Sequence, residues 1–228
     1  MPDEVPARPK RCSMALNARR SSLGARVSGR RAGQRFDAEH GVATEALIFL
    51  GDLDPDAIGP NIAHATHYEP TPVGDLERLL AHVPFPLDGS TFVDLGSGMG
   101  RAVVLAARKP FRQVVGVEIS RALHEVARDN LAQIDRTTFA CRDVRLACKD
   151  AVSYRFPAGP LVVYLFNPFD ASVLAKILDR LALGPERHVA IVYHTPVEAA
   201  VIEAHAAFEL IAREPIGEVY RRVGTYPT

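Results

Sequence analysis

The sequence has few cysteines, no long apolar run and no net charge, and each shortage argues against a class of protein. Its three cysteines form no Cys-x-x-Cys pair, which argues against a disulfide framework and a zinc cluster and fits a reducing cytoplasm. No apolar stretch approaches the roughly 18 to 20 residues that a membrane-spanning helix needs. We therefore expect a cytoplasmic protein without a membrane segment.

The formal net charge of zero hides an uneven distribution. Residues 1–35 hold nine basic and two acidic side chains, which leaves 18 basic and 25 acidic side chains in residues 36–228. Because the body lacks the positive charge that phosphate-backbone binding usually needs, a nucleic-acid partner is not expected. Residues 1–35 are predicted to form a disordered basic tail, which has either no function or that of a transit peptide or weak nucleic-acid arm.

From residue 91 onward, apolar strand-like runs alternate with helical patterns. Continuous apolar strands separated by helices indicate a parallel sheet covered on both faces, and a closing strand pair with no helix between its members indicates an antiparallel end. The fold class is therefore α/β. The predicted strands cover 91–95, 114–119, 144–148, 161–166 and 189–193, and the closing pair covers 208–212 and 218–223.

Helices are predicted between these strands and upstream of them. Residues 101–109 are apolar and end before a proline, and Asp170 caps a helix that Gly184 closes. Thr195-Pro196-Val197-Glu198 predicts a further helix start, with a capping box. Residues 36–90 are expected to be a helical lid segment, with helical patterns around 42–50 and 73–82.

The residues that follow each strand are the candidate ligand contacts, because open parallel sheets bind ligands beyond the carboxyl ends of their strands. Asp94 lies at the end of the first strand, and the turn Gly96-Ser97-Gly98-Met99-Gly100 follows it. Glycine permits a tight turn and a close approach of backbone to ligand. A dinucleotide fingerprint would need glycine where Arg101 stands, which weakens a pyrophosphate-binding interpretation.

Acidic residues lie at the end of the second strand and after the third. Glu118 lies 22 residues after Gly96 and is suited to accept hydrogen bonds from both hydroxyls of a ribose. Asp150 follows the third strand and is the preferred acceptor for an adenine amino group. Asp143 competes for that role but precedes the strand.

Taken together, the run Phe92–Arg101, the run Val115–Ser120 and the pair Asp150-Ala151 resemble the class I S-adenosylmethionine (SAM)-dependent methyltransferase family over roughly residues 65–225. The resemblance implies a three-layer Rossmann-like sandwich in which residues 91–228 form the SAM-binding domain, with a seven-stranded, mostly parallel sheet and an antiparallel last strand. It further implies that Glu118 holds the ribose of SAM. The other implied cofactor contacts are Asp94, Gly96, Gly98 and Gly100 around the methionine portion, Asp150 and Ala151 beside the adenine, and Ser97, Ile119 and Asn167.

Asn167-Pro168-Phe169 follows the fourth strand. Members of the family that methylate amino nitrogens often carry Asn/Asp-Pro-Pro-aromatic at this place, so the resemblance suggests an amine acceptor with Asn167 as a catalytic residue. The alternative is that Asn167 and Pro168 only shape the turn into the helix that Asp170 caps.

Tyr68 and Glu69 are further catalytic candidates, because the family commonly folds the segment before the first strand over its cofactor. A Pro-bounded helix entry is the alternative. His64 and His67 have no third ligand at a recognisable spacing, so no metal is expected. His194, after the fifth strand, lies at the ligand-binding end of the sheet or only caps it.

The sequence thus predicts a SAM-dependent methyltransferase that acts on a small molecule or a protein side chain. The rival hypotheses are an NAD(P)-dependent oxidoreductase and a SAM-binding partner protein without catalysis. The oligomeric state is left open.

Overall fold

The computed structural model describes residues 30–46, 48–49, 67–185 and 188–223. The described part begins with a helix, α1, over residues 30–40. This helix crosses the predicted tail boundary at residue 35, so residues 30–35 differ from the expected disorder. The remainder of the predicted tail, together with His64, lies outside the described residues.

A seven-stranded sheet forms the centre of the molecule, and a separate pair, β1 (Ile48–Phe49) and β2 (His67–Tyr68), precedes it. The order of strands in the large sheet is β5-β4-β3-β6-β7-β9-β8. β9 is antiparallel to both neighbours, and the other neighbouring strands pair in parallel. The strands are β3 (Thr91–Leu95), β4 (Gln113–Glu118), β5 (Val144–Cys148), β6 (Leu161–Phe166), β7 (Val189–His194), β8 (Phe208–Glu214) and β9 (Gly217–Arg222).

The central strands are buried along their length, which is why they read as continuous apolar runs. Every residue of β3, β4 and β7 is buried, and so is every residue of β6 except Phe166. A parallel sheet covered by helices on both faces produces this pattern. The structure therefore confirms the predicted fold class, including the antiparallel last strand.

Helices cover both faces of the sheet. One core contains Leu79 and Val103, and the other contains Ile177. Five aliphatic side chains of the last large helix are buried as predicted, and each contributes roughly 1.5–3 kcal/mol relative to exposure. The helices after α1 are α2 (Asp75–Leu80), α3 (Arg101–Ala107), α4 (Arg121–Gln133), α5 (Ala171–Leu183) and α6 (Ala199–Glu203), with a 3₁₀ turn at Arg136–Thr138.

Two predicted helix positions are wrong. Residues 42–46 are irregular and Ile48–Phe49 is a strand, so no helix covers the described part of 42–50. The second error is the capping box: α6 begins at Ala199 and its N-cap, Glu198, makes no side-chain cap bond. Thr195 is in the left-handed region (φ 49°), and its hydroxyl is 2.9 Å from His194 Nδ1. Its side chain is therefore committed to a contact with the preceding residue rather than to a helix start.

The Asp170 cap is confirmed. Its Oδ1 accepts hydrogen bonds from Ser172 N–H at 3.0 Å and Val173 N–H at 3.1 Å, and α5 ends at Gly184. This fixes the direction of the chain directly after Asn167, Pro168 and Phe169.

Candidate functional site

A cleft lies at the carboxyl ends of β3, β4 and β6. Its space, with the open mouth included, is about 640 Å³. The first part of its lining comes from the carboxyl ends of these strands and from the turns and helices after them: Asp94, Gly96, Ser97, Gly98, Arg101, Ala102, Glu118, Ile119, Leu123, Tyr164, Phe166, Pro168 and Phe169. The second part comes from the segment before α2: Tyr68, Glu69, Pro70 and Thr71.

The glycine turn is fastened to the end of β4 and is closely covered. Gly96 N–H and Ser97 N–H both donate to the Val117 carbonyl, at 2.8 and 3.0 Å. A Cβ on Gly96 would lie 2.6 Å from Pro168 Cβ, and a Cβ on Gly98 would lie 2.1 Å from the Tyr68 ring. Glycine is thus required at both positions, because the chain segments that close the cleft pack directly on the turn.

Glu118 is held at the wall of the cleft by backbone donors. Its Oε2 accepts a hydrogen bond from Gly98 N–H and its Oε1 accepts one from Ser120 N–H, both at 2.8 Å. Burial raises the pKa of this carboxyl group, while the hydrogen bonds from Ser120, Gly98 and Ile119 oppose the rise. Each carboxylate oxygen has a second lone pair for a ligand hydroxyl.

Asp94 is the second buried carboxyl group of the cleft. Burial, with a smaller contribution from the negative charge of Glu118, raises its pKa to about 8. Beside it, Ser97 Oγ is buried and has no hydrogen-bond partner within the described part of the chain. A ligand with a positive charge and hydrogen-bond donors would satisfy the carboxyl groups of Asp94 and Glu118 and the hydroxyl of Ser97. SAM provides these features in its ammonium group and its ribose hydroxyls, so the residues present fit this cofactor.

The two aspartates considered for the adenine lie at opposite ends of β5. Asp150 follows the strand, and its Oδ1 accepts a hydrogen bond from Val152 N–H at 2.9 Å. Asp143 precedes the strand, at the end of the sheet opposite the cleft, and pairs with Gln113 and Arg145. Ala151 is buried in the core beside the cleft. Neither Asp150 nor Ala151 is among the residues that line the enclosed part of the cleft.

Asn167 lies between cleft-lining neighbours and has an unusual backbone conformation. Phe166, Pro168 and Phe169 line the cleft, while Asn167 adopts φ 46° and its Oδ1 accepts a hydrogen bond from the Tyr193 hydroxyl at 3.2 Å. That hydroxyl in turn accepts one from Glu198 N–H at 3.3 Å. The Asn167 side chain is therefore oriented by the end of β7.

The segment before α2 covers the cleft as expected of a lid. Tyr68 is buried, its ring packs on Gly98, and its hydroxyl donates to the Thr44 carbonyl at 2.8 Å. Burial raises the pKa of Tyr68 above its ordinary range, so this phenol stays protonated as a donor. Glu69 is exposed at the mouth of the cleft. The structure thus brings both candidates to the site.

His194 takes a structural position. Its Nε2 lies 3.1 Å from Asp75 Oδ2, its Nδ1 contacts the Thr195 hydroxyl, and its ring packs edge-on against Phe166 with centroids 4.2 Å apart. Among the described residues there is no group of three His, Cys, Asp or Glu side chains that would hold a metal ion. Likewise, no helix in the described ranges is long and apolar enough to cross a membrane.

Sequence reasoning missed the two side chains that join residues 33–45 to the turn, Arg101 and Asn130. Both are buried, and their contacts reach back more than fifty residues. A signal was present for each. Arg101 is the one charged residue in the apolar run of α3, and Asn130 stands on the apolar face of α4 beside Leu131. A polar residue at such a place needs a partner.

Comparison with known proteins finds one matching family model. The family model described as "Histone methylation protein DOT1" matches residues 74–142, which contain the glycine turn and Glu118. No curated protein matches the chain.

Two solved structures share the fold at low identity. The putative methyltransferase yhhF from Escherichia coli is 17% identical with a TM-score of 0.52, over 65% of this chain and 84% of that chain. A putative RNA methyltransferase, PH1948 from Pyrococcus horikoshii, is also 17% identical with a TM-score of 0.51, over 76% of this chain and 94% of that chain.

Proposed function

We propose that this class I SAM-dependent methyltransferase transfers the methyl group to an amine nitrogen of a protein side chain. The observation that carries the proposal is the packing of the Asn167 segment on the cofactor turn. Pro168 lies against Gly96, and the aromatic rings of Phe166 and Phe169 line the same cleft. An acceptor bound beside Asn167 would therefore lie next to the cofactor.

The cofactor end of the cleft is assigned to the buried acids. We assign the ribose hydroxyls to Glu118, whose oxygens are already oriented by Gly98 N–H and Ser120 N–H. Asp94 and Ser97 are assigned to the ammonium group. When bound, SAM supplies an electrophilic methyl group on its sulfonium.

The acceptor end is assigned to Asn167. Its Oδ1 already accepts one hydrogen bond from Tyr193, and an amide oxygen has a second lone pair for an N–H of the acceptor. Holding the nitrogen in line with the methyl group is the main task, and such positioning contributes up to roughly 7–11 kcal/mol in well-oriented cases. Glu69, at the mouth of the cleft, is the proposed acceptor for the proton that the amine loses.

A protein acceptor is supported by two observations. The matching family model is described as a histone methylation protein. In addition, residues 36–228 hold 25 acidic and 18 basic side chains, a balance that attracts a basic polypeptide and repels a polyanion. The second candidate is an RNA acceptor, which the nine basic residues of 1–35 favour.

Transfer of labelled methyl from SAM into cell-extract fractions tests the proposal. We expect label in protein that survives nuclease and is lost on protease treatment, and we expect Asn167→Ala to reduce labelling while S-adenosylhomocysteine binding is retained. Label removed by nuclease would establish the RNA alternative. Cofactor binding without any labelled product would indicate a non-catalytic partner, and binding of NADH instead of S-adenosylhomocysteine would indicate an oxidoreductase.

A further inference from the structure

Residues 30–46, here called the strap, pack against the glycine turn from outside the sheet. The strap consists of α1 and the irregular segment 41–46. Its polar contacts converge on Arg101, the first residue of α3, which follows the turn directly. Arg101 is only 2% exposed and also lines the cleft.

Each nitrogen of the Arg101 guanidinium group has a partner in the strap. Its Nη1 lies 2.9 Å from Glu45 Oε2, its Nη2 lies 3.1 Å from Asp37 Oδ1, and its Nε donates to Thr44 Oγ1 at 2.6 Å. The same group lies 5.3 Å from the centre of the Phe36 ring. A buried charge is tolerated only when it is paired and hydrogen-bonded in this way.

The strap is built to present these partners. Asp37 Oδ2 accepts hydrogen bonds from Thr44 N–H and Glu45 N–H, both at 2.7 Å, and Asp37 Oδ1 accepts the Thr44 hydroxyl at 2.6 Å. Gly33 leaves the space that the ion pair occupies. A Cβ at Gly33 would lie 1.7 Å from Glu45 Oε2 and 2.5 Å from Arg101 Nη1.

Two further contacts connect the strap to the parts of the site that surround the cofactor. Asn130 bonds the backbone of Ala43 through both ends of its amide, and its Nδ2 also donates to the Met99 carbonyl in the glycine turn at 3.0 Å. The Thr44 carbonyl accepts the Tyr68 hydroxyl. The strap therefore holds the turn on one side and the lid tyrosine on the other.

We propose that Arg101 is a positioning residue for cofactor binding, which acts by clamping the strap so that Tyr68 and the glycine turn keep the geometry of the SAM site. Docking of the strap and binding of SAM are consequently coupled: each stabilises the other. The inference rests on the SAM site of the proposed function and is independent of the acceptor. Glu118 and Asp94 are proposed to contact the cofactor directly. Arg101 is not, because its charge is neutralised by the strap.

The test measures S-adenosylhomocysteine binding by calorimetry and backbone hydrogen exchange of residues 42–45. Arg101→Gln removes the charge from the core side, and Gly33→Ala displaces the ion pair from the strap side without touching the cleft. We expect each to raise the dissociation constant by about tenfold or more, since removal of one partner of a buried pair is strongly unfavourable. In the wild type, the ligand should slow exchange at 42–45, and both variants should lose this effect.

Matched controls separate positioning from general destabilisation. Arg112→Gln removes an arginine at the amino-terminal ends of the central strands, away from the cleft, and Gln34→Ala changes the exposed neighbour of Gly33 on α1. Both should bind the ligand as the wild type does.

Wild-type affinity in a folded Arg101→Gln or Gly33→Ala variant would overturn the inference, as would a lower melting temperature with unchanged affinity. Should Arg101→Gln fail to fold, Gly33→Ala and the milder Glu45→Gln decide the matter. Lack of ligand binding by the wild type would instead count against the cofactor assignment itself.

Discussion

Asp94 shows how a single residue connects the chemistry of the site to pH. Its pKa is raised to about 8, mainly by burial, so at neutral pH the carboxyl group is largely protonated in the absence of ligand. A cationic group bound beside it favours the carboxylate, so that binding releases a proton. Affinity for S-adenosylhomocysteine should therefore fall by about tenfold per pH unit below pH 8 and level off above it. Calorimetry in buffers of different ionisation enthalpy measures both the affinity and the released proton.

The same residue affects stability with the opposite sign. The pKa of Asp94 rises on folding from an ordinary 3.8 to about 8, so the folded state binds more protons than the unfolded state between these values. The free energy of unfolding thus decreases as pH rises from about 4 to 8. Asp94→Asn, which has no proton to lose, should melt at a higher temperature than the wild type at pH 8.5 and bind the ligand weakly at every pH. A wild-type pH dependence of affinity in this variant would exclude Asp94 as the titrating group.

Tyr193 is the residue through which β7 acts on the acceptor end. Its hydroxyl donates to Asn167 Oδ1 and accepts from Glu198 N–H, while its ring is buried in the core. Tyr193→Phe keeps the ring and releases Asn167, so we expect kcat to fall by roughly tenfold, in line with the loss of one hydrogen bond, while ligand affinity stays within about twofold. An unchanged kcat would mean that Asn167 does not depend on Tyr193.

At the scale of elements, the glycine turn and the lid constrain each other. Gly98 has φ 52°, and a Cβ there would meet the Tyr68 ring at 2.1 Å. Gly98→Ala should displace the lid and reduce S-adenosylhomocysteine affinity at least about tenfold, because the buried Tyr68 ring must leave its contact with the turn to make room for the methyl group. Gly89→Ala is the matched control, since Gly89 also has a positive φ (82°) but open surroundings. It should lower the melting temperature slightly and leave ligand affinity unchanged.

The strands and their ligand-facing ends could be predicted from the sequence because their signals are local. Leu161–Phe166 has the predicted bounds, since it is an apolar run of strand length between turn residues. Val144–Cys148 also has the predicted bounds, although it contains Arg145. Glu118 ends its strand, and the glycine turn and Asn167 directly follow theirs, so their approach to the same end of the sheet is a consequence of parallel strands.

Elements fixed by distant partners could not be predicted in this way. The Thr195 capping box is a correct local pattern, but it is overridden by the left-handed backbone of Thr195, whose N–H donates to the Ile216 carbonyl at 3.0 Å. The strap was missed because its bonds join residues 64 positions apart, as between Asp37 and Arg101, and no periodicity records such a pair. Its contacts became visible only in the folded chain.

At the scale of the whole molecule, the sheet carries the cleft, and the strap packs against the glycine turn from outside the sheet. The division at residue 35 that composition suggests runs through α1, which extends to residue 40. Basic residues are concentrated before this helix, whereas the residues that pair with Arg101 lie on it and after it. Most of the positive charge of the N-terminal region thus lies before α1, whereas the contacts with Arg101 come from α1 and the segment after it.

Two truncations separate these parts. Removal of residues 1–29 deletes six of the nine basic residues of the tail and leaves the strap, so S-adenosylhomocysteine affinity should match that of the full chain. Removal of residues 1–46 also deletes Asp37, Thr44 and Glu45, which leaves the charge of Arg101 buried without its partners. We expect this shorter chain to lose at least about tenfold in affinity and to melt at a lower temperature. Equal affinities in the two truncated chains would show that ligand binding does not depend on the strap. A loss of affinity already caused by removing 1–29 would assign the effect to the basic tail.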